Sequence, residues 1–403
     1  MTTENTAQEE GPSERHDVTQ GGGAEIVFDS VTKRYPGQER PAVDELSFSI
    51  APGEICMLVG PSGAGKTTAL KLINRLIDFE GGDITIDGRG VRKQDVTELR
   101  RGIGYVIQQI GLFPHMTIEA NVGTVPRLLG WDKERIRRRS AELLELVGLT
   151  PEYAKRYPSQ LSGGQRQRVG LARALAVDPP LMLMDEPFGA LDPITRGRLQ
   201  EEFLRLHSQV RKTVVFVTHD IDEAIKMGDR VCVLREGGIL AQYDPPDVLL
   251  AKPVDDFVAE FVGADRGLKR LSLRRVGDLK LLPAPTAKQG DDAAAARDAV
   301  TRAGFETLLV VDDGGRPKGY LPVDRIGNGS VDASSLRPLG AVGTPDMPLR
   351  DALSIMLSQT GSHLVVVGDD ERVEGYVSAD LISEALARTD VEARAAVGDE
   401  VAT

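Results

Sequence analysis

With 403 residues, 41% of them hydrophobic and 27% charged, the chain has the length for two or three globular domains and the balance of neither a disordered nor a fibrous protein. A net charge of −12 argues against a nucleic-acid binder, whose affinity would come from a basic face. No apolar run approaches the ~20 residues of a membrane helix. The N-terminus also lacks the basic and apolar regions of a signal peptide, so any membrane role is expected to run through a partner.

Residues 1–23 are polar, acidic and glycine-ended, which predicts a disordered acidic tail. Order is expected from Ile26, with Tyr35 on a loop between two early strands, placed either to fill a core or to stack on a flat ring. The apolar run Ile55–Val59 then meets the octet Gly60-Pro61-Ser62-Gly63-Ala64-Gly65-Lys66-Thr67, and Thr68 continues into a helical pattern. Strand, glycine-rich loop and helix in that order make a phosphate cradle: glycines let successive N–H groups converge, and the helix start adds partial positive charge. Lys66 is expected to reach the β- and γ-phosphates and the Thr67 hydroxyl to ligate magnesium, so the chain is expected to bind ATP. Cys56 and Cys232 each lie in an apolar strand-like run and read as buried thiols of a reducing compartment.

Gly81-Gly82 and Asp87-Gly88 bracket a predicted hairpin, and Gly104–Ile107 is a short strand that delivers Gln108. From about Thr117 to Tyr157 the spacing turns helical, which reads as an inserted subdomain. Its arginines 135, 137, 138 and 139 are expected on a solvated face. Leu161-Ser162-Gly163-Gly164-Gln165 precedes a helix predicted over Arg166–Ala176. Ser162 and the bare glycine N–H groups there form a second anion site. Two γ-phosphate sites in one domain are best reconciled by a dimer that buries ATP between opposed faces.

Leu181–Met184 is an unalternating apolar strand ending in Asp185-Glu186, and Val214–Val217 repeats the design before Thr218-His219. Such strands imply an α/β fold with a doubly wound sheet and a ligand at the strands' C-terminal edge. Asp185 would hold Mg²⁺, and Glu186 would orient and deprotonate the attacking water. His219 would contact the γ-phosphate.

Beyond Gly263 an internal repeat appears. A helix pattern over Asp292–Ala303 is followed by Leu308–Val311 and Gly319-Tyr320-Leu321, and one over Leu349–Thr360 by Leu364–Val367 and Gly375-Tyr376-Val377. Each half ends in an acid opening a short helix, Asp324 and Asp380, with Asp380 either facing a ligand or capping its helix. Residues 389–403 read as a second acidic tail.

The phosphate-loop octet, Gln108, Leu161–Gln165, Leu183–Pro187, Ala190-Leu191-Asp192 and His219 stand in the order and spacing of an ABC-transporter ATPase, which the chain resembles over residues 24–263 (helical subdomain about 110–160). The resemblance implies a P-loop NTPase cassette with antiparallel β and helical subdomains. It assigns Tyr35 to adenine stacking, and Gln108 to magnesium, the lytic water and the membrane partner. Leu161, Ser162, Gly163, Gly164, Gln165 and Asp192 would act on the nucleotide of the opposite subunit, Asp192 by signalling across the dimer. The repeat over 268–388 (halves 268–330 and 331–388) resembles an α+β tandem CBS pair. An adenine nucleotide bound near Ser378, Asp380 and Asp324, cyclic di-adenosine monophosphate at a dimer interface, and ionic strength are its three expected inputs. Together with Gly263–Ser272 and Gln108–His115, this architecture is similar to the ATP-hydrolysing subunit of glycine betaine/carnitine/choline importers. That family implies a homodimer at the cytoplasmic face of the membrane, with permease subunits and an extracytoplasmic solute-binding protein or domain. An importer of another small solute, or a soluble non-transport ABC ATPase, are the alternatives.

Overall fold

A computed structural model describes residues 22–107, 111–189, 191–358 and 363–386. β1 (Ile26–Lys33), β2 (Val43–Ile50) and β3 (Ile55–Val59) lead into α1 (Lys66–Ile73), followed by β4 (Gly81–Ile86), β5 (Arg89–Gly90), α2 (Val96–Arg101) and β6 (Ile103–Val106). Then come α3 (Ile118–Val122), α4 (Thr124–Leu128), α5 (Lys133–Leu146), α6 (Gly163–Ala174), β7 (Leu181–Asp185), α7 (Pro193–Val210) and β8 (Thr213–Val217). The next group is α8 (Ile221–Met227), β9 (Arg230–Arg235), β10 (Ile239–Asp244), α9 (Pro246–Ala251), α10 (Asp256–Val262) and α11 (Arg266–Ser272). The chain continues through β11 (Thr286–Lys288), α12 (Ala293–Arg302), β12 (Thr307–Val311), β13 (Pro317–Pro322), α13 (Leu349–Ser358), β14 (His363–Val367) and β15 (Val373–Ser378), with a helix over 379–386. The strand orders are β2-β1-β4-β5, β10-β9-β3-β8-β7-β6, β11-β12-β13 and β14-β15. The residues fall into two compact units: the chain to Cys56 with Thr67–Val217, and Met57–Lys66 with the chain from Thr218 on.

In the first unit, β6, β7 and β8 run parallel, with Tyr105 opposite Leu183 and Asp185 opposite Val217. β8 is buried throughout and β7 is buried up to its last residue, Asp185, which explains why their sequences do not alternate. α5 buries Ile136, Ser140, Leu143 and Leu144, one stripe at helical spacing, and Asp132 caps it by accepting from Arg135 N–H. Its arginines are not all solvated, contrary to expectation. Arg139 is half-buried and donates to the carbonyls of Leu175 and Ala176, which close the end of α6, and Arg135 stacks on Trp131. A guanidinium is well suited to that place because it can satisfy two helix-end carbonyls at once.

In the second unit, the two repeats share one pattern: α12-β12-β13 and α13-β14-β15, with Val310 opposite Gly319 and Val366 opposite Gly375. Each hairpin gains an edge from the other side of the sequence. Leu282 and Tyr376 exchange N–H···O bonds of 2.9 and 2.8 Å, as do Tyr320 and Arg337 at 3.0 and 2.9 Å. This explains the repeated Gly-Tyr pair. A Cβ at Gly375 would lie 2.6 Å from the Leu282 carbonyl, and one at Gly319 2.7 Å from that of Arg337, so only glycine admits the added strand. Leu271 and Val276 therefore pack with Leu349, Leu364 and Val377, whereas Val331 packs with Ala293, Leu308 and Leu321. Packing crosses the linear division at residue 330, because each half borrows the segment that precedes the other.

Candidate nucleotide-binding site

The phosphate loop is built by glycines in conformations other residues resist. Gly60, Gly63 and Gly65 have φ of +148°, +83° and +76°. A Cβ at Gly60 would lie 2.2 Å from the Leu234 carbonyl, so side-chain-free backbone is required there. Ala64 N–H donates to Pro61 O at 3.2 Å and its methyl is fully buried, which closes the turn. Lys66 is buried, and its ammonium donates to the carbonyls of Gly60 at 2.7 Å and Pro61 at 2.9 Å. Ser62 is exposed, and Thr68 is half-buried in the first turn of α1.

The residue after Lys66 carries the first metal-type contact. Thr67 Oγ1 donates to Asp185 Oδ1 at 3.0 Å, across 118 positions of sequence. A hydroxyl and a carboxylate are both hard oxygen donors, the set that magnesium takes alongside phosphate and water, so these residues fit the ion. Tyr105 lies beside them. Burial first, and the Asp185 carboxylate second, push its phenol up to about 12, so it stays neutral and adds no competing charge.

Glu186 follows directly with φ of +45°, a left-handed conformation that is strained for a non-glycine residue. It is pinned from both sides: its N–H donates to Val217 O at 3.0 Å, and its carbonyl accepts from Gly189 N–H at 3.2 Å. Nothing in a single sequence marks a glutamate as left-handed, so this feature was not legible beforehand.

Ser162 caps α6. Its hydroxyl accepts from Gln165 N–H at 3.3 Å, and Gln165 returns a carboxamide oxygen to Ser162 N–H at 2.9 Å, a capping box. The helix opens at Gly163, three residues before the expected start, so Gly163 and Gly164 supply the first-turn N–H groups themselves. Leu161 is buried behind them. Asp192 caps α7 through Thr195 N–H at 3.0 Å, and that backbone bond holds its carboxyl below the usual range. Tyr35 is half-buried on the loop after β1, with the Lys33 ammonium 5.4 Å from its ring centroid. Gln108 and Ala190 lie outside the described residues.

His219 is exposed at the end of β8's extension. Thr218, before it, is buried and donates its N–H to Leu58 O at 3.2 Å, while Asp220, after it, caps α8 by accepting from Asp222 and Glu223 N–H. In the C-terminal repeats Asp324 and Asp380 are exposed. Asp380 does not cap its helix. That place is taken by Ser378, whose buried hydroxyl accepts from Leu381 N–H at 3.1 Å, because serine two positions earlier has the N-cap register. The Asp380 charge instead faces His363, whose imidazole burial holds below its ordinary pKa against the pull of that acid.

Two family profiles match the chain, ABC transporter at residues 43–189 and CBS domain at 344–388. The osmoprotectant import ATP-binding protein OsmV of Salmonella typhimurium is 45% identical over 367 residues, 90% of this chain and 96% of its own. The glycine betaine/carnitine/choline transport ATP-binding protein OpuCA of Bacillus subtilis is 46% identical over 361 residues, 88% of this chain and 94% of its own. A solved dimeric structure of an ATP-binding cassette in a post-hydrolysis state, bound to ADP and Pi, superposes with a TM-score of 0.50. It is 36% identical and covers 55% of this chain and 98% of that one. The phosphate loop, the Thr67–Asp185 pair and the capped glycine turn at Ser162 thus occur in a chain that belongs to the family of ABC-transporter ATP-binding proteins of osmoprotectant and quaternary-amine importers.

Proposed function

We propose that this chain is the ATP-hydrolysing subunit of an importer of quaternary-amine compatible solutes such as glycine betaine, carnitine, choline or proline betaine. The observation that carries the reading is the 45% identity to an osmoprotectant import ATP-binding protein across nine-tenths of the chain, CBS region included. Gly60–Thr68 and Lys66 would hold the phosphates and Tyr35 the adenine, while Thr67, Asp185 and Gln108 would hold Mg²⁺. The ion, when bound, would neutralise charge on the phosphate oxygens. Glu186 takes the proton of the attacking water, and its pinned backbone fixes the direction of its carboxylate. His219 orients that water and the γ-phosphate.

Hydrolysis requires two copies. Leu161–Gln165 and Asp192 of one copy would complete the site of the other, in keeping with a dimeric bacterial cassette that is 37% identical at a TM-score of 0.50. Among the described residues no helix is long and apolar enough to cross a membrane. Permease subunits would make the crossing, with this subunit at the cytoplasmic face and a solute-binding protein or domain outside. The C-terminal pair would regulate turnover in response to an adenine nucleotide, cyclic di-adenosine monophosphate or ionic strength. The test is uptake of radiolabelled solutes by vesicles carrying this subunit with its membrane partners. ATP-dependent accumulation of betaine or choline is expected. Accumulation of an unrelated solute alone would replace the cargo and keep the ATPase.

A further inference from the structure

The junction between the cassette and the repeats, Gly263–Ser272, contains a side chain whose placement the ATPase chemistry does not require. Lys269, on α11, is buried, and its ammonium has three partners: Val262 O at 2.9 Å, Asp222 Oδ1 at 3.0 Å and Asp265 Oδ1 at 3.3 Å. The carbonyl takes a hydrogen bond and the two carboxylates pair with the charge, so the buried ammonium is compensated. The surrounding chain is shaped to admit it. Gly263 closes α10 at φ of +93°, and a Cβ there would lie 2.9 Å from Asp265 Oδ1 and 3.4 Å from Lys269 Nζ. Glycine, aspartate and lysine at 263, 265 and 269 are therefore one device.

Its far end is the loop of His219. Asp222 stands in the first turn of α8, and Asp220 caps that same turn one residue after His219. The position of α8 thus sets the backbone on which His219 rides. The other side of α11 belongs to the repeats, since Leu271, two residues from Lys269, is buried in the core with Val276, Leu349 and Met356. One short helix is held by the repeat core at Leu271 and holds the His219 helix at Lys269.

We propose that Lys269 is a positioning residue through which the CBS pair sets the register of the His219 loop, and hence the rate of hydrolysis; this rests on the ATPase reading above. A shift of α11 driven from the repeats pulls on Asp222 through the buried, ion-paired ammonium. Because the cassette is bistable in such a scheme, a small displacement is read out as a change in the active fraction.

The test uses the full chain assembled with its permease. ATP hydrolysis is measured in wild type, Lys269→Met, Asp222→Ala, their double, Leu271→Ala and Leu271→Ala with Asp222→Ala, with Glu186→Gln alongside. Lys269→Met and Asp222→Ala are each expected to lower kcat by about 5-fold or more and to leave KM for ATP unchanged, since the phosphate loop is untouched. The double should be no worse than the worse single. Leu271→Ala should alter kcat in wild type and have no further effect once Asp222 is removed. Wild-type kcat in Asp222→Ala, whose exposed side chain leaves folding intact, would overturn the proposal, as would additive effects in the double. If Lys269→Met does not fold, Asp222→Ala and its combination with Leu271→Ala decide the matter. Retained turnover in Glu186→Gln would instead overturn the ATPase reading, so the two failures are distinguishable.

Discussion

Thr67 Oγ1 and Asp185 Oδ1 are 3.0 Å apart, the hydroxyl donating to the carboxylate. One follows the phosphate loop and the other ends β7, so their contact is what fixes a hard-oxygen pair at the start of α1. Asp185→Asn keeps the shape and removes the charge. It is expected to raise the Mg²⁺ concentration for half-maximal hydrolysis by roughly 10- to 100-fold, as loss of a metal-orienting carboxylate does. Nucleotide binding in EDTA should be unchanged. A magnesium titration superimposable on wild type would reject the pair as the metal site.

Glu186→Gln should still bind ATP and lose about 10²–10⁴ of its turnover, the usual worth of a general base. Lys66→Ala should instead weaken binding itself. Equilibrium binding of a fluorescent ATP analogue separates the two, and turnover of Glu186→Gln within a few-fold of wild type would rule out the base.

The placement of these residues was legible because each strand and loop states its local chemistry, and their roles remain the proposal that these variants test. Four buried apolar residues before Asp185 need a parallel sheet, and Gly60–Thr67 has the glycine spacing of a phosphate cradle. What was not legible depends on distant backbone. The left-handed Glu186 is held by Val217, the glycines at 319 and 375 exist to admit Arg337 and Leu282, and the segment at 271–281 packs across the repeat boundary. Ser378 shows the same limit in reverse, since a one-residue difference in register decides whether it or its acidic neighbour caps the helix.

Ser162 caps α6, and in the proposed dimer it would also face the nucleotide of the opposite copy; the capping box allows the two to be separated. Light scattering of Glu186→Gln protein should show a dimer on adding ATP. Adding Ser162→Asp keeps a capping oxygen and places negative charge where a γ-phosphate of the opposite copy would bind, so the dimer should be lost with the fold intact. Ser162→Ala should instead cost about 1 kcal/mol of stability, the typical worth of a cap. ATP-dependent dimers of the Ser162→Asp double variant would contradict a composite site.

Tyr105 and Tyr376 are both raised from 10.0 to about 12, chiefly by burial. Their folded pKa lies above the unfolded one, so the neutral phenol favours the fold. That contribution is complete below pH 10 and disappears as the pH rises through about 12. Both should ionise well above pH 10 in an ultraviolet titration. Tyr105→Phe and Tyr376→Phe should each remove part of the absorbance change near pH 12, and an unaltered change there in both would refute the assignment.

The C-terminal pair can be removed with Lys269 and its partners retained, although the core that Leu271 packs into goes with it. Ending the chain after Gly263 would discard Lys269 and leave Asp222 and the Val262 carbonyl without that partner, so a change in rate could not be ascribed to the repeats. Ending it after Leu273, which closes α11, keeps Lys269 with Val262, Asp222 and Asp265 and removes both repeats together with the packing around Leu271. A ligand that prefers one arrangement of the pair must bias cassette closure, and ATP must bias ligand binding in return, with couplings typically of ~1–3 kcal/mol. Transport by the full chain should therefore vary with potassium chloride or with cyclic di-adenosine monophosphate, whereas the chain ending at Leu273 should hydrolyse ATP at a rate indifferent to both. Ser378 accepts from Leu381 N–H as a helix cap, and Asp324 and Asp380 are exposed; on that ground the dinucleotide, if it is the input, is expected at an interface between pairs rather than beside that serine. Ser378→Ala should accordingly lower the stability of the repeats without changing the response. Identical titration curves for the full and shortened chains would make the pair a spacer.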